Sequence, residues 1–189
     1  MKKYIIFMLI GLMAALSATD MVVNYTDGSM VTIPVGQVEQ ITFEQYEMVT
    51  VEGIELQWRT DDEYLYVNVS APTTGWVAVG FDPTYQMADA NIIIGYVDGD
   101  DVMIRDDFGT SSTSHASDES QGGTDNIMDS YGMDDGAMTM LHFKIPLDSG
   151  DMYDKVLVPG NNYNIILAYG SSDNFTGFHT VATGTDIDL

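Results

Sequence analysis

From Val51 onward, short apolar segments alternate with turn-forming ones. Leu65, Val67 and Val69 interleave with Tyr66, Asn68 and Ser70; Leu141, Phe143 and Ile145 interleave with His142 and Lys144. A period of two marks a strand with one buried and one wetter face. The pattern predicts strands at 54–59, 64–70, 76–81, 91–96, 101–106, 138–145, 163–169 and 180–189. Turn formers separate them, including Asp98-Gly99-Asp100 and Pro159-Gly160-Asn161-Asn162. No long amphipathic helix interrupts the series. The expected fold is all-β, an immunoglobulin-like antiparallel β-sandwich.

Two regions depart from this rhythm. Residues 108–137 are rich in Gly, Ser, Thr and Asp and are expected to form a long surface excursion over one end of the sandwich. Ahead of the sandwich, 21–25 and 30–33 flank Asp27-Gly28, a hairpin signal, and 40–43 reads as another short strand. This piece is too small to hold a core alone and is expected to be an appendage. The polar stretch 44–50 joins it to the sandwich.

The extreme N-terminus is of another kind. Lys2 and Lys3 precede an apolar run at 4–16, and Ala15-Leu16-Ser17-Ala18 offers a small-residue cleavage site. That is the pattern of an export signal, too short for a membrane span. The expected organisation is a signal peptide at 1–18, a hairpin and linker at 19–48, and a sandwich at 49–189. A periplasmic, cell-surface or extracellular location follows.

Composition narrows the chemistry. The chain has 189 residues, 45% of them apolar, which suits one main domain around a core. It carries 29 Asp plus Glu against 6 Lys plus Arg, a net charge of −23. Removing Lys2 and Lys3 leaves four basic residues and a net charge of −25. Such a surface excludes nucleic acid, whose phosphates need clustered cations. There is no cysteine, so disulfides, thiolate metal sites and covalent haem attachment are excluded.

Candidate ligating residues are few. His142 falls within an alternating strand and is expected to point outward; His115 lies in the polar excursion, and His179 just before the last strand. Met87 sits in the irregular run that follows the 76–81 strand. A Met and a His together form an axial pair for haem iron, and b-type haem needs no cysteine. Asp98, Asp100 and Asp101, with Asp106 and Asp107 further on, offer oxygens to Ca2+, although the spacing is not that of an EF-hand; a solvated acidic hairpin is the other reading. No serine lies in a G-x-S-x-G setting, and no catalytic residue is assigned.

Several segments taken together resemble the DOMON domain. They are Gly75-Trp-Val-Ala-Val-Gly-Phe81, Met87, 88–96, 102–106, 141–147, Ile165-Ile-Leu-Ala-Tyr-Gly170 and His179. The resemblance runs from about Val51 to Leu189 and reinforces the sandwich. It implies either haem or sugar as ligand. Resemblance to the cytochrome domain of cellobiose dehydrogenase and the haem subunit of ethylbenzene dehydrogenase implies Met87 and His179 as ligands of a non-covalent haem b. Trp76 and Phe81 then lead to the site, Tyr85 and Phe178 pack on the macrocycle, and Arg105 and Lys144 face the propionates. His115 becomes an alternative ligand or a cover for the pocket mouth. The implied role is electron transfer to a redox partner, one with a basic surface given the charge. A carbohydrate-binding module using Trp76, Tyr85 and Tyr131 against a glycan is the alternative. A Ca2+-stabilised structural domain is a third.

Overall fold

Period-two patterning requires each strand to find partners for its backbone and a cover for its apolar face. The computed structural model describes residues 20–24, 30–34 and 45–189. The expected export segment, the Asp27-Gly28 turn and the expected strand at 40–43 lie outside them. The chain divides into two compact units, Met1–Glu44 and Gln45–Leu189. In the first, β1 (Asp20–Asn24) pairs antiparallel with β2 (Met30–Pro34), with Asn24 opposite Met30. This is the expected hairpin.

The second unit contains β3 (Glu47–Val51), β4 (Ile54–Thr60), β5 (Tyr64–Ala71), β6 (Val77–Phe81), β7 (Asn91–Asp98), β8 (Asp101–Ser111) and β9 (Ser114–Ser117). A single-turn helix, α1 (Asp118–Gln121), follows, then β10 (Asp129–Asp134), β11 (Thr139–Pro146), β12 (Asn162–Tyr169) and β13 (Val181–Asp188). The strands form two antiparallel sheets, ordered β10-β11-β5-β4-β3 and β13-β12-β6-β7-β8-β9. They face each other across one core, the immunoglobulin-like sandwich expected from the sequence. Leu56, Val67, Val69 and Phe143 come from one sheet; Val79, Phe81, Ile93, Ile165 and Leu167 come from the other. Each such side chain contributes about 1.5–3 kcal/mol of burial. Trp58 Nε1 donates to the Asp188 carbonyl at 2.9 Å, linking β4 to β13 across the layers.

All eight strands expected after Val51 are present, but three expectations need correction. The joining stretch 44–50 contains β3, which pairs along β4 from Glu47 opposite Trp58 to Val51 opposite Ile54. The excursion 108–137 is not a loop: it holds the end of β8, then β9, α1 and β10. These strands are polar because they lie at sheet edges, where backbone pairing rather than side-chain burial fixes them. His142 does face away from Leu141 and Phe143, yet it is only 8% exposed. Tyr131 of the neighbouring β10 stacks on it at 4.5 Å, and its Nδ1 hydrogen-bonds Asn68 Oδ1 at 2.9 Å.

The six-stranded sheet is buried on both faces at its centre, so β6 is buried throughout. Val77, Val79 and Phe81 point into the sandwich. Ala78, with Ile92 and Ile94 of β7, belongs to a second apolar cluster on the outer face, with Trp76 and Ala90. That outer face positions the candidate site.

Candidate functional site

The outer face of β6, β12 and β13 is built from small residues. Ala78, Gly80, Ala168, Ala182 and Gly184, with Ile92, Ile94 and Ile166, floor a cleft of about 700 Å³. Its size and mostly apolar lining suit a small-molecule or cofactor site. Side-chain alternation explains the floor: the same strands turn large residues inward and small ones outward.

Two loops wall the cleft, and they leave the sheet at opposite ends. Phe81 pairs with Ile165, whereas Val77 pairs with Tyr169. The β6–β7 loop (residues 82–90) therefore emerges at one end of β6 and the β12–β13 loop (residues 170–180) at the other, about 13 Å apart along the strand. Both fold over the outer face, and both line the cleft, through Gln86 and Met87 and through Phe178 and His179.

The Met87 loop is tightly turned. Ala88 N donates to the Tyr85 carbonyl at 3.0 Å, and Thr84 N to the Ala88 carbonyl at 2.9 Å. Asp82, Gln86 and Asp89 all have positive φ, near 50–61°. That is uncommon for side-chain-bearing residues and depends on surrounding support. Support comes from Gly109 of β8, whose backbone bonds both Asp89 N and the Ala90 carbonyl. A Cβ at Gly109 would overlap the Met87 carbonyl.

The second loop is pinned at its start. Trp76 N donates to the Ser172 carbonyl at 3.2 Å, Gly170 N to the Trp76 carbonyl at 3.0 Å, and Thr73 Oγ1 to the Gly170 carbonyl at 2.8 Å. Phe175 packs on Tyr96 and under the Arg105 guanidinium, 4.4 Å from its ring centre. Further on, Phe178 is left 96% exposed. The Trp76 ring is 4% exposed, and its buried Nε1 has no hydrogen-bond acceptor.

The β8–β9 hairpin forms the third wall, through Ser112, Thr113 and His115. His115 Nδ1 bonds the Asp107 carboxylate, which also receives Arg105 Nε and, at 2.6 Å, Arg105 Nη2. Burial alone would raise the Asp107 pKa, but the bonds from His115 and Arg105 outweigh it and hold it below the usual carboxylate value. With Nδ1 committed to Asp107, Nε2 is the ring nitrogen left for a ligand in the cleft.

Of the residues singled out from the sequence, Trp76, Met87, His115, Phe178 and His179 come together here. The others do not. Phe81 points into the sandwich core, 1% exposed, as alternation from Gly80 requires. Tyr85 is 67% exposed outside the cleft lining. Arg105 is engaged by Asp107 and Phe175 behind the wall. Lys144 lies on β11 in the other sheet, 3.7 Å from the Tyr64 ring centre. Tyr131 also belongs to that sheet, so Trp76, Tyr85 and Tyr131 form no common stacking platform for a sugar. Asp98, Asp100 and Asp101 are exposed at the β7–β8 turn; Asp106 and Asp107 follow on opposite faces of β8, so these five do not converge on one ion. The residues missed from the sequence are the small floor residues, Ser112 and Thr113. Their signal was the alternation of Ala or Gly with Val, Leu or Phe in strands otherwise read as uniformly apolar.

The family model of the DOMON domain matches residues 51–170, most of the sandwich. The chain belongs to the DOMON family. Met87 and His115 fall within the matched span, and His179 lies beyond it. DBH-like monooxygenase protein 1 of Mus musculus is 30% identical over 118 residues, 62% of this chain and 18% of that protein. The DOMON chain described here thus spans less than a fifth of that relative. Among solved structures, the cytochrome b domain of pyranose dehydrogenase from Coprinopsis cinerea is similar, with a TM-score of 0.52 and 13% identity over 71% of this chain and 76% of that one. The cytochrome domain of Myriococcum thermophilum cellobiose dehydrogenase has a TM-score of 0.53 and 9% identity, over 92% and 90%. At these identities the likeness is one of fold. No helix among the described residues is long and apolar enough to cross a membrane.

Proposed function

We propose that this DOMON domain is an exported, non-covalent b-type haem carrier that exchanges electrons with a partner protein, with Met87 and His179 as axial ligands. One observation carries the reading: Met87 and His179, on loops from opposite ends of one sheet, both line the same apolar cleft. The donor set fits haem iron, and the cleft volume and its floor of Ala and Gly leave room for a planar group. The exposed Phe178 fits as well, since a ligand in the cleft would give its ring a surface to cover. The likeness to two cytochrome domains points the same way.

Haem held there by Met87 and His179 would supply one-electron exchange. The protein's residues do the rest. Trp76, Ile92 and Ile166 keep water from the floor. Ser112 and Thr113 would offer hydroxyls to propionates, which Arg105 and Lys144 do not reach. The strongly acidic composition favours a partner with a basic surface. The Asp107–His115 hydrogen bond favours a second reading, in which His115 replaces His179 as the imidazole ligand.

The test is spectroscopic. Reconstituted wild type should be low-spin. Met87→Ala and His179→Ala should each turn it high-spin, while His115→Ala should leave it low-spin. Loss in His115→Ala and retention in His179→Ala selects the second reading. Unchanged spectra in both Met87→Ala and His179→Ala would overturn the ligand assignment.

A further inference from the structure

On the other face of β8 from Asp107, three carboxylates meet. Asp106, Asp118 and Asp154 each bring one oxygen within 4.8 Å of the others. Asp106 is 2% exposed and Asp118 is fully buried. They come from β8, the first residue of α1 and the β11–β12 connection, so the fold and not a sequence motif assembles them. Val102, Ile104 and Asp106 share one face of β8, which places a carboxylate where the pattern of burial calls for an apolar side chain. Arg105 and His115, on the same hairpin, are bonded to Asp107.

The acids alone would not make a site. A separate residue points to a ligand. Asn91, the first residue of β7, is 3% exposed, and its Nδ2 donates to Asp154 Oδ1 at 2.7 Å. That contact fixes its amide against the cluster, yet its Oδ1 has no hydrogen-bond partner. Asp106 Oδ1 and both oxygens of Asp118 are also unpartnered. A buried neutral amide has no reason of charge to leave its acceptor unpaired, and doing so costs about 1–3 kcal/mol. Unpaired oxygens from an amide and two carboxylates, beside the hydrogen-bonded carboxylate of Asp154, are what a hard cation collects.

We propose that Asp106, Asp118, Asp154 and the Asn91 amide oxygen form a Ca2+ site. A cation held at about 2.4 Å by each donor spans oxygens as far apart as those seen here. The donors are all oxygen, which disfavours zinc and copper; a flexible set drawn from four segments disfavours Mg2+, which demands near-octahedral geometry. Without the cation, burial first and then repulsion from Asp154 push the Asp106 pKa up to about 8, and the same causes push Asp118 up to about 7. Asp125 adds to the negative field at both. The ion would tie β7, β8, α1 and the β11–β12 connection together at the end of the sheet where the Met87 loop rejoins β7.

Thermal unfolding and calorimetry of chelator-treated full-length protein test this, with CaCl2 as the probe and MgCl2 as its comparison. Wild type should bind one Ca2+ per chain at this site, with Tm raised by about 5 °C or more at a hundredfold excess over Kd. MgCl2 should do less. Asp118→Asn should raise the Tm of the ion-free protein, by removing buried like charge, and abolish the Ca2+ response. Asp106→Asn provides a second variant with the same expectation. Asp98→Asn/Asp100→Asn, at the exposed turn, should leave the response intact. Absence of stoichiometric Ca2+ binding by wild type, or its loss only in the turn variant, would overturn the proposal. None of these readouts depends on haem.

Discussion

His115 and Asp107 face each other across the β8–β9 hairpin, with the imidazole at the cleft wall and the carboxylate fully buried behind it. Asp107 thus couples a surface that meets ligand to the interior of β8, and it shares its charge with Arg105. Breaking a buried, hydrogen-bonded charge group costs several kcal/mol, less where a partner is partly solvated, as Arg105 is. Asp107→Ala should therefore destabilise the domain by about 2–4 kcal/mol. Urea unfolding of the two proteins at one pH measures this directly.

The same carboxylate sets an acid dependence. Its folded pKa lies below the ordinary value, so the unfolded chain binds more protons as pH falls. Its stabilisation is complete above about pH 4 and fades as pH drops through the lower folded pKa. Asp107→Asn should flatten the acid limb of a stability-versus-pH curve below that point. An acid limb identical to wild type would show that Asp107 does not contribute it.

His142 acts with the same sign in a higher pH range. Burial beneath Tyr131 lowers its pKa from 6.5, so the folded state prefers the neutral ring. Its contribution is full above about pH 6.5 and is lost as pH falls toward the depressed folded value. Wild type should lose more stability than His142→Phe between pH 7.5 and pH 5.5, by thermal unfolding at both pH values. Equal losses would contradict this account of His142.

Gly109 should be as important as the ligand it supports. Any side chain there must displace the Met87 carbonyl. Gly109→Ala should cost about 1–3 kcal/mol through overpacking and weaken haem binding along with it. Haem titration beside urea unfolding separates the two effects.

The cleft floor can be filled without touching the core. Ala168 lies on the outer face of β12, between the inward Leu167 and the strand end. Ala168→Phe should leave Tm within a few degrees of wild type and abolish haem binding. A folded Ala168→Phe protein that still binds haem would move the site elsewhere.

The sandwich was legible because its central strands carry their own evidence. Leu65, Val67 and Val69, or Leu141, Phe143 and Ile145, alternate whatever lies beside them. β9 and β10 were not legible. Ser114–Ser117 and Asp129–Asp134 have no apolar face, and only the neighbouring strands reveal them as edges. His115 and His179 stood out as two of only three histidines, and Met87 by its place in an irregular segment. Arg105 and Lys144 were singled out for charge alone, and the fold spends both on interactions away from the cleft. The carboxylates of Asp118 and Asp154 gave no signal among 29 acidic residues. Which acids are buried together is decided by long-range pairing, which no local spacing encodes.

The central claim is that the cleft between Met87 and His179 holds haem. Absorption of the full-length protein, purified from a haem-replete host or titrated with haemin, tests it most directly. The account predicts one haem per chain, a sharp Soret band and the split visible bands of low-spin ferrous iron on reduction. A protein that folds, keeps its Tm unchanged with haemin and acquires no Soret band beyond that of free haemin would contradict it.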